Sequence, residues 1–159
     1  MNNLRTKEKL FGVLFILVFL FYGIGSGMVE GIATRPDALT QIADNKAQVI
    51  AGIILMAVLH SMGNIGLAVI MFGIVKQYSS AKAYGYLLFA ISATVLLTVG
   101  GIFLWQLIPV SDAYAADKDG MQQLVAICRQ GNAASYQLGM AMWATGGVLL
   151  CMVLYKTQL

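Results

Sequence analysis

Long uncharged apolar runs alternate with short polar links along this chain. Residues 10–28, 49–75, 84–110 and 135–155 contain no Asp, Glu, Lys or Arg, and all the charged residues fall between or outside them. A helix rises about 1.5 Å per residue and a bilayer's hydrocarbon core is roughly 30 Å thick, so each run has about the length of one helical crossing. Lipid cannot satisfy backbone N–H and C=O groups, which leaves helices as the economical way to bury such runs. The pattern predicts an all-α integral membrane bundle, one domain over residues 1–159, with four transmembrane helices at about those positions.

The links carry their own signals. In residues 30–47, Thr34, Arg35 and Pro36 open a short helix, with Pro tolerated in the first turn. Leu39, Ile42 and Ala43 give that helix an apolar side, Asp44 and Asn45 close it, and it is expected to lie at the interface. Residues 76–83 form a short polar turn with Lys76 and Lys82, which makes runs two and three antiparallel neighbours. In residues 111–134, Met121, Leu124, Val125 and Cys128 recur at helical spacing after the turn signal Asp119-Gly120. A second surface-lying helix covering the bundle mouth is expected there. Tyr84 and Tyr86 at one end of the third run and Trp105 near the other suit interfacial anchoring, and Pro109 marks where that helix should stop. Gly23, Gly27 and Gly31, four apart, would either let a neighbouring helix approach closely or mark a flexible, frayed helix end.

Arg5, Lys7 and Lys9 precede the first run, and small residues follow it, as in a secretory signal; the run approaches a full span, so a retained first helix is expected. Basic residues assign the orientation. The N-terminus, the 76–83 link and the C-terminus hold Arg5, Lys7, Lys9, Lys76, Lys82 and Lys156 against Glu8. The opposite side holds Arg35, Lys46, Lys118 and Arg129 against Glu30, Asp37, Asp44, Asp112, Asp117 and Asp119. Cytoplasmic loops collect Lys and Arg, so both termini are expected in the cytoplasm of a cell bounded by a bacterial plasma membrane.

Composition agrees: 59% of residues are hydrophobic, 11% are charged, and the mean hydropathy is +0.78, more apolar surface than a soluble fold of this size hides. The net charge of +3 is scattered, without the basic stripe or aromatic ladder that holds nucleic acid, so no nucleic-acid partner is expected. Cys128 and Cys151 would fall on opposite sides of the bilayer, too far apart for a disulfide.

Polar groups inside the runs are few. His60, the sole histidine, shares a helical face with Asn64, and Ser61 adjoins it. Thr94, Thr98 and Thr145 fall at similar depth in the third and fourth runs, so an interhelical cluster with His60, Ser61 and Asn64 is feasible. Either His60 is neutral and stabilises packing through Asn64 or a threonine, or it contacts a ligand or accepts a proton, a role that ionisable groups at membrane depth often have. Haem would want a second axial ligand; no second histidine exists, and the methionines fill apolar space more simply. One histidine and two distant cysteines cannot build a zinc site, so neither a metal nor another cofactor is expected. GxSxG, P-loop, HExxH and GxGxxG patterns are missing, which disfavours an enzyme of those classes.

Two stretches carry a resemblance. Ile42-Ala43-Asp44-Asn45 leading into the second run with its Lys76 turn, and Tyr136-Gln137-Leu138-Gly139 through Leu154-Tyr155-Lys156, resemble a bacterial multi-pass family catalogued as a domain of unknown function (four-three-eight-six). Its members close the fourth span with a Leu-Tyr-basic-Ser-Gly-apolar-Pro sequence, where this chain reads Leu154, Tyr155, Lys156, Thr157, Gln158, Leu159. Members usually continue into further spans, so the resemblance implies a short or truncated member in which a groove otherwise covered by later helices is either open or closed by self-association. It implies localisation and architecture and lends no activity.

Three functions fit these residues: a non-enzymatic protein binding a partner, a lipid or a small apolar ligand around His60, Ser61 and Asn64; a small transporter or channel component lined by these and the threonines; or a membrane haem or redox protein using His60. Membrane lipid, a small apolar ligand and a second copy are the expected partners.

Overall fold

The computed structural model describes residues 2–114 and 118–157, with side chains for 9–114 and 121–157. The expected contributions of Arg5, Lys7, Glu8, Asp117, Lys118 and Asp119 to charge and capping therefore lie outside the described side chains, as does the end of the family-like closing sequence at Gln158 and Leu159. Among the described residues the chain is all helical: α1 (Asn2–Ala33), α2 (Ala38–Asp44), α3 (Lys46–Ile53), a π turn (Ile54–Leu59), α4 (His60–Val75), α5 (Ser80–Trp105), α6 (Leu107–Ala113) and α7 (Lys118–Thr157). Four stretches, Lys9–Ala33, Lys46–Val75, Ser80–Ala113 and Met121–Thr157, are long and apolar enough to cross a membrane.

Outward-facing residues bear this reading out. Val13, Ile16, Phe19 and Leu20 on α1, Met62, Ile65 and Val69 on α4, and Leu88, Val95 and Ile102 on α5 all leave more than a third of their surface open. In water such a belt would mark an interface; around a whole bundle it marks hydrocarbon. The chain is a membrane protein by this measure.

The main apolar core sits at one end. The fully buried side chains Ile42, Leu107, Val29 and Val49 join Ile32, Leu39, Ile53 and Leu104 there. The expected helix at Pro36 is α2, and its apolar side, Leu39 and Ile42, is buried against α6. An ion pair from Lys46 at the start of α3 to Asp112 in α6 closes the same end. A smaller cluster, Val75, Ala83 and Val153, holds the opposite end. There Ser79 caps α5 by accepting the Lys82 N–H, and the Lys76 ammonium lies over the Phe72 and Tyr84 rings.

Three expectations are corrected. The second surface helix does not exist as a separate element: residues 121–128 are the first turns of the 40-residue α7, because nothing between Met121 and Ser135 breaks the helix. Cys128 is therefore buried within that long helix, and Cys151, on the same helix, is exposed; both are free. Pro109 does not end the third helix, which stops at Trp105; it occupies the first turn of α6, where its missing N–H costs nothing. Gly23, Gly27 and Gly31 face open space, and the close approach is made by Gly25 instead. A Cβ on Gly25 would sit 2.5 Å from the Gly52 carbonyl oxygen, and one on Gly52 would sit 2.8 Å from that of Gly25, so α1 and α3 touch backbone to backbone.

Candidate functional site

α5 packs along α7 and against α4, and α1 packs along α3, the π turn and α4. α1 and α7 do not pack closely on each other, and the gap between them is the site. Its floor comes from the middle of α4 and α5, its walls from aromatic side chains of α1 and α7.

The π turn sets up the floor. The His60 N–H bonds to the Leu55 carbonyl, a wide i to i−5 turn that inserts an extra residue ahead of α4. Before it, Val49, Gly52 and Ile53 face the core, as Met56 does within it; after it, His60 and Ser61 reach in two different directions. The His60 Nδ1 lies 3.1 Å from the Val18 carbonyl oxygen of α1, and the Asn64 Nδ2 lies 2.7 Å from the His60 Nε2. A carbonyl only accepts, so Nδ1 carries the proton and donates to Val18, while Nε2 accepts from the Asn64 amide. His60 thereby ties α4 to α1. Gly63, one turn on, keeps this approach short, since a Cβ there would run into the Val18 Cγ2.

Ser61 ties α4 to α5. Its hydroxyl lies 3.1 Å from the Thr98 Oγ1, and the Thr98 hydroxyl donates to the Thr94 carbonyl at 2.9 Å. That uses the one Thr98 proton, so Ser61 is the donor. Thr94 is buried, and its hydroxyl turns back to the Ala90 carbonyl. Thr145 stands apart, exposed on α7 and bonded to the Ala141 carbonyl. The structure thus brings together His60 with Asn64, and Ser61 with Thr98 beside Thr94, and leaves Thr145 out.

Sequence reasoning missed the aromatic walls. Tyr22 of α1 packs on the His60 ring at a centroid separation of 5.1 Å and stacks on Tyr136 of α7 at 5.6 Å. Phe15 and Phe19 continue the α1 wall, Met140 and Trp143 the α7 wall, and Leu67 and Leu97 complete the base of a cavity of about 100 Å³. The signal that could have found them is spacing: residues 15, 19 and 22 on α1 and 136, 140 and 143 on α7 each follow one helical face.

Because both imidazole nitrogens are occupied, the groove presents rings and aliphatic carbons almost throughout. It can hold an apolar chain without rearrangement; using His60 as a base or an axial ligand would require breaking its bond to Val18 or Asn64. Among the described residues no three Cys, His, Asp or Glu side chains gather as a metal site.

No curated protein and no solved structure matches the chain. The model of one family does, the domain of unknown function DUF4386, over residues 10–159. The resemblance on the Ile42–Asn45 and Tyr136–Lys156 stretches thus extends over nearly the whole length, and the chain belongs to the DUF4386 family.

Proposed function

We propose that this protein is a non-enzymatic, multi-pass protein of a bacterial plasma membrane that holds an apolar chain, from a lipid or a small lipophilic ligand, in the groove between α1 and α7. The observation that supports it is the groove itself: open to the side, walled by Phe15, Phe19, Tyr22, Tyr136 and Trp143, with the polar atoms of its floor spent on bonds between helices. Ligand sites are typically apolar clefts of this kind. The charge distribution supports the topology, with both termini cytoplasmic: Lys9, Lys76, Lys82 and Lys156 lie without an acid among the described side chains at one end of the antiparallel helices, and Arg35, Lys46 and Arg129 lie with Glu30, Asp37, Asp44 and Asp112 at the other. On this reading His60 and Asn64 lie near the bilayer midplane and are positioning residues, holding α1 against α4 so that the groove keeps its width.

A phospholipid with a photoactivatable diazirine near the chain terminus tests it. After irradiation in vesicles, adducts should concentrate on peptides carrying Met140 and Trp143 of α7 and Phe15 and Phe19 of α1. Adducts spread evenly over the outward faces, including Val95 and Ile102 of α5, would refute a groove-bound chain.

A further inference from the structure

A second, larger cavity lies on the same seam, toward the end covered by α2 and α6. It has a volume of about 520 Å³ and is lined by Glu30 and Thr34 of α1, Leu104 of α5, and Arg129, Gln130 and Asn132 of α7. Glu30 and Arg129 carry opposite charges into this one space from opposite walls, and among the described residues neither is in an ion pair. Two opposite charges facing one cavity, neither in an ion pair among the described residues, complement a ligand that itself carries both signs.

The register of the seam specifies the rest of that ligand. Glu30 is twelve residues from Val18, the residue bonded to His60, which is about 18 Å along α1. Half of a hydrocarbon core is about 15 Å. The charged cavity therefore stands at headgroup level when the aromatic groove stands at the depth of chain ends. Tyr22 and Tyr136 stack across the seam between the two cavities, and Tyr136 is partly exposed, so a chain joining the cavities runs over the outer side of this pair.

We propose that the α1–α7 seam is the binding site of one zwitterionic glycerophospholipid. Its phosphate lies against the Arg129 guanidinium, whose fork suits phosphate oxygens, its ammonium faces the Glu30 carboxylate, and one acyl chain descends into the groove beside His60. This rests on the groove reading and adds the identity of the head.

The test uses the full chain in vesicles. In a Trp105→Phe background Trp143 is the only tryptophan and reports the groove. A zwitterionic phosphatidylcholine brominated on its chains, at low mole fraction in an anionic phosphatidylglycerol host, should quench Trp143 about fivefold more than its mole fraction predicts. At 1.4 kcal/mol per tenfold that preference is about 1 kcal/mol. Glu30→Gln with Arg129→Gln should return quenching to the mole fraction, and Trp143→Phe, leaving Trp105, should show no preference in either background. Quenching at the mole fraction for brominated zwitterionic, anionic and uncharged lipids alike, unchanged by the double substitution, would overturn the head site while leaving the groove reading intact. Preference for the anionic lipid would overturn it as well. Quenching of Trp143 well below mole fraction by every lipid would overturn both readings, and a cross-linked dimer with Trp143 shielded would assign the seam to a second copy.

Discussion

Replacing His60 by Leu removes the donor to the Val18 carbonyl and the acceptor of the Asn64 amide at once, at similar side-chain size. Interhelical hydrogen bonds at membrane depth contribute about 0.6 kcal/mol on average and up to about 1.7 kcal/mol. Leaving the Asn64 amide without its partner adds a desolvation cost of about 1–3 kcal/mol. A loss of about 2 kcal/mol is therefore expected for His60→Leu. Asn64→Leu strands only the His60 Nε2 and should cost about 1 kcal/mol. In the double variant no stranded group remains, so its loss should fall about 1 kcal/mol short of the sum of the two singles. Reversible unfolding in mixed detergent micelles, followed by circular dichroism, measures all three. Losses that add to within about 0.3–0.5 kcal/mol, as for independent sites, would refute the bonded pair.

Other consequences are as specific. Gly25→Ala places a methyl 2.5 Å from the Gly52 carbonyl oxygen, where ordinary contact begins at 3.4 Å, and should lower stability by about 1–3 kcal/mol. Gly23→Ala, facing open space, should be neutral or stabilise by up to about 1 kcal/mol; equal effects of the two in a thermal melt would contradict the α1–α3 contact. Membrane-permeant maleimide should label Cys151 readily and Cys128 slowly in folded protein, and equal rates by mass spectrometry would place Cys128 outside the core. Lys46→Ala should cost no more than about 1 kcal/mol, less in high salt, since both members of its pair with Asp112 are well exposed; a loss of several kcal/mol would mean that the pair is shielded from solvent.

Much of the architecture was legible because the absence of charge over a span's length is a one-dimensional signal: the four long helices, the Pro36-led helix and the Lys76–Lys82 turn need no knowledge of neighbours. The pairing of His60 with Asn64 was legible for the same reason, being a contact between residues four apart on one helix. What failed depended on tertiary context. Gly23, Gly27 and Gly31 have the spacing of a packing motif, and only the placement of α3 shows that Gly25 is the residue in contact. The Ile54–Leu59 segment carries no mark of a π turn, since the wide turn is imposed by packing on both sides of it. The Asp119-Gly120 turn signal suggested the start of a separate surface helix ahead of the last span, but a helix beginning at Lys118 runs through to Thr157. Thr145 has the depth of the cluster and the wrong face, a rotation that sequence spacing between different helices does not encode. The groove's aromatic walls come from α1 and α7, the first and last helices, so no local pattern joins them.

A high-resolution structure of the full chain in a lipid nanodisc would show directly whether a chain fills the groove. Continuous chain-shaped density is expected between Phe15 and Phe19 on one side and Met140 and Trp143 on the other, ending beside an imidazole still bonded to Val18 and Asn64. A groove closed by direct packing of α1 on α7, or His60 turned away from Val18, would contradict it.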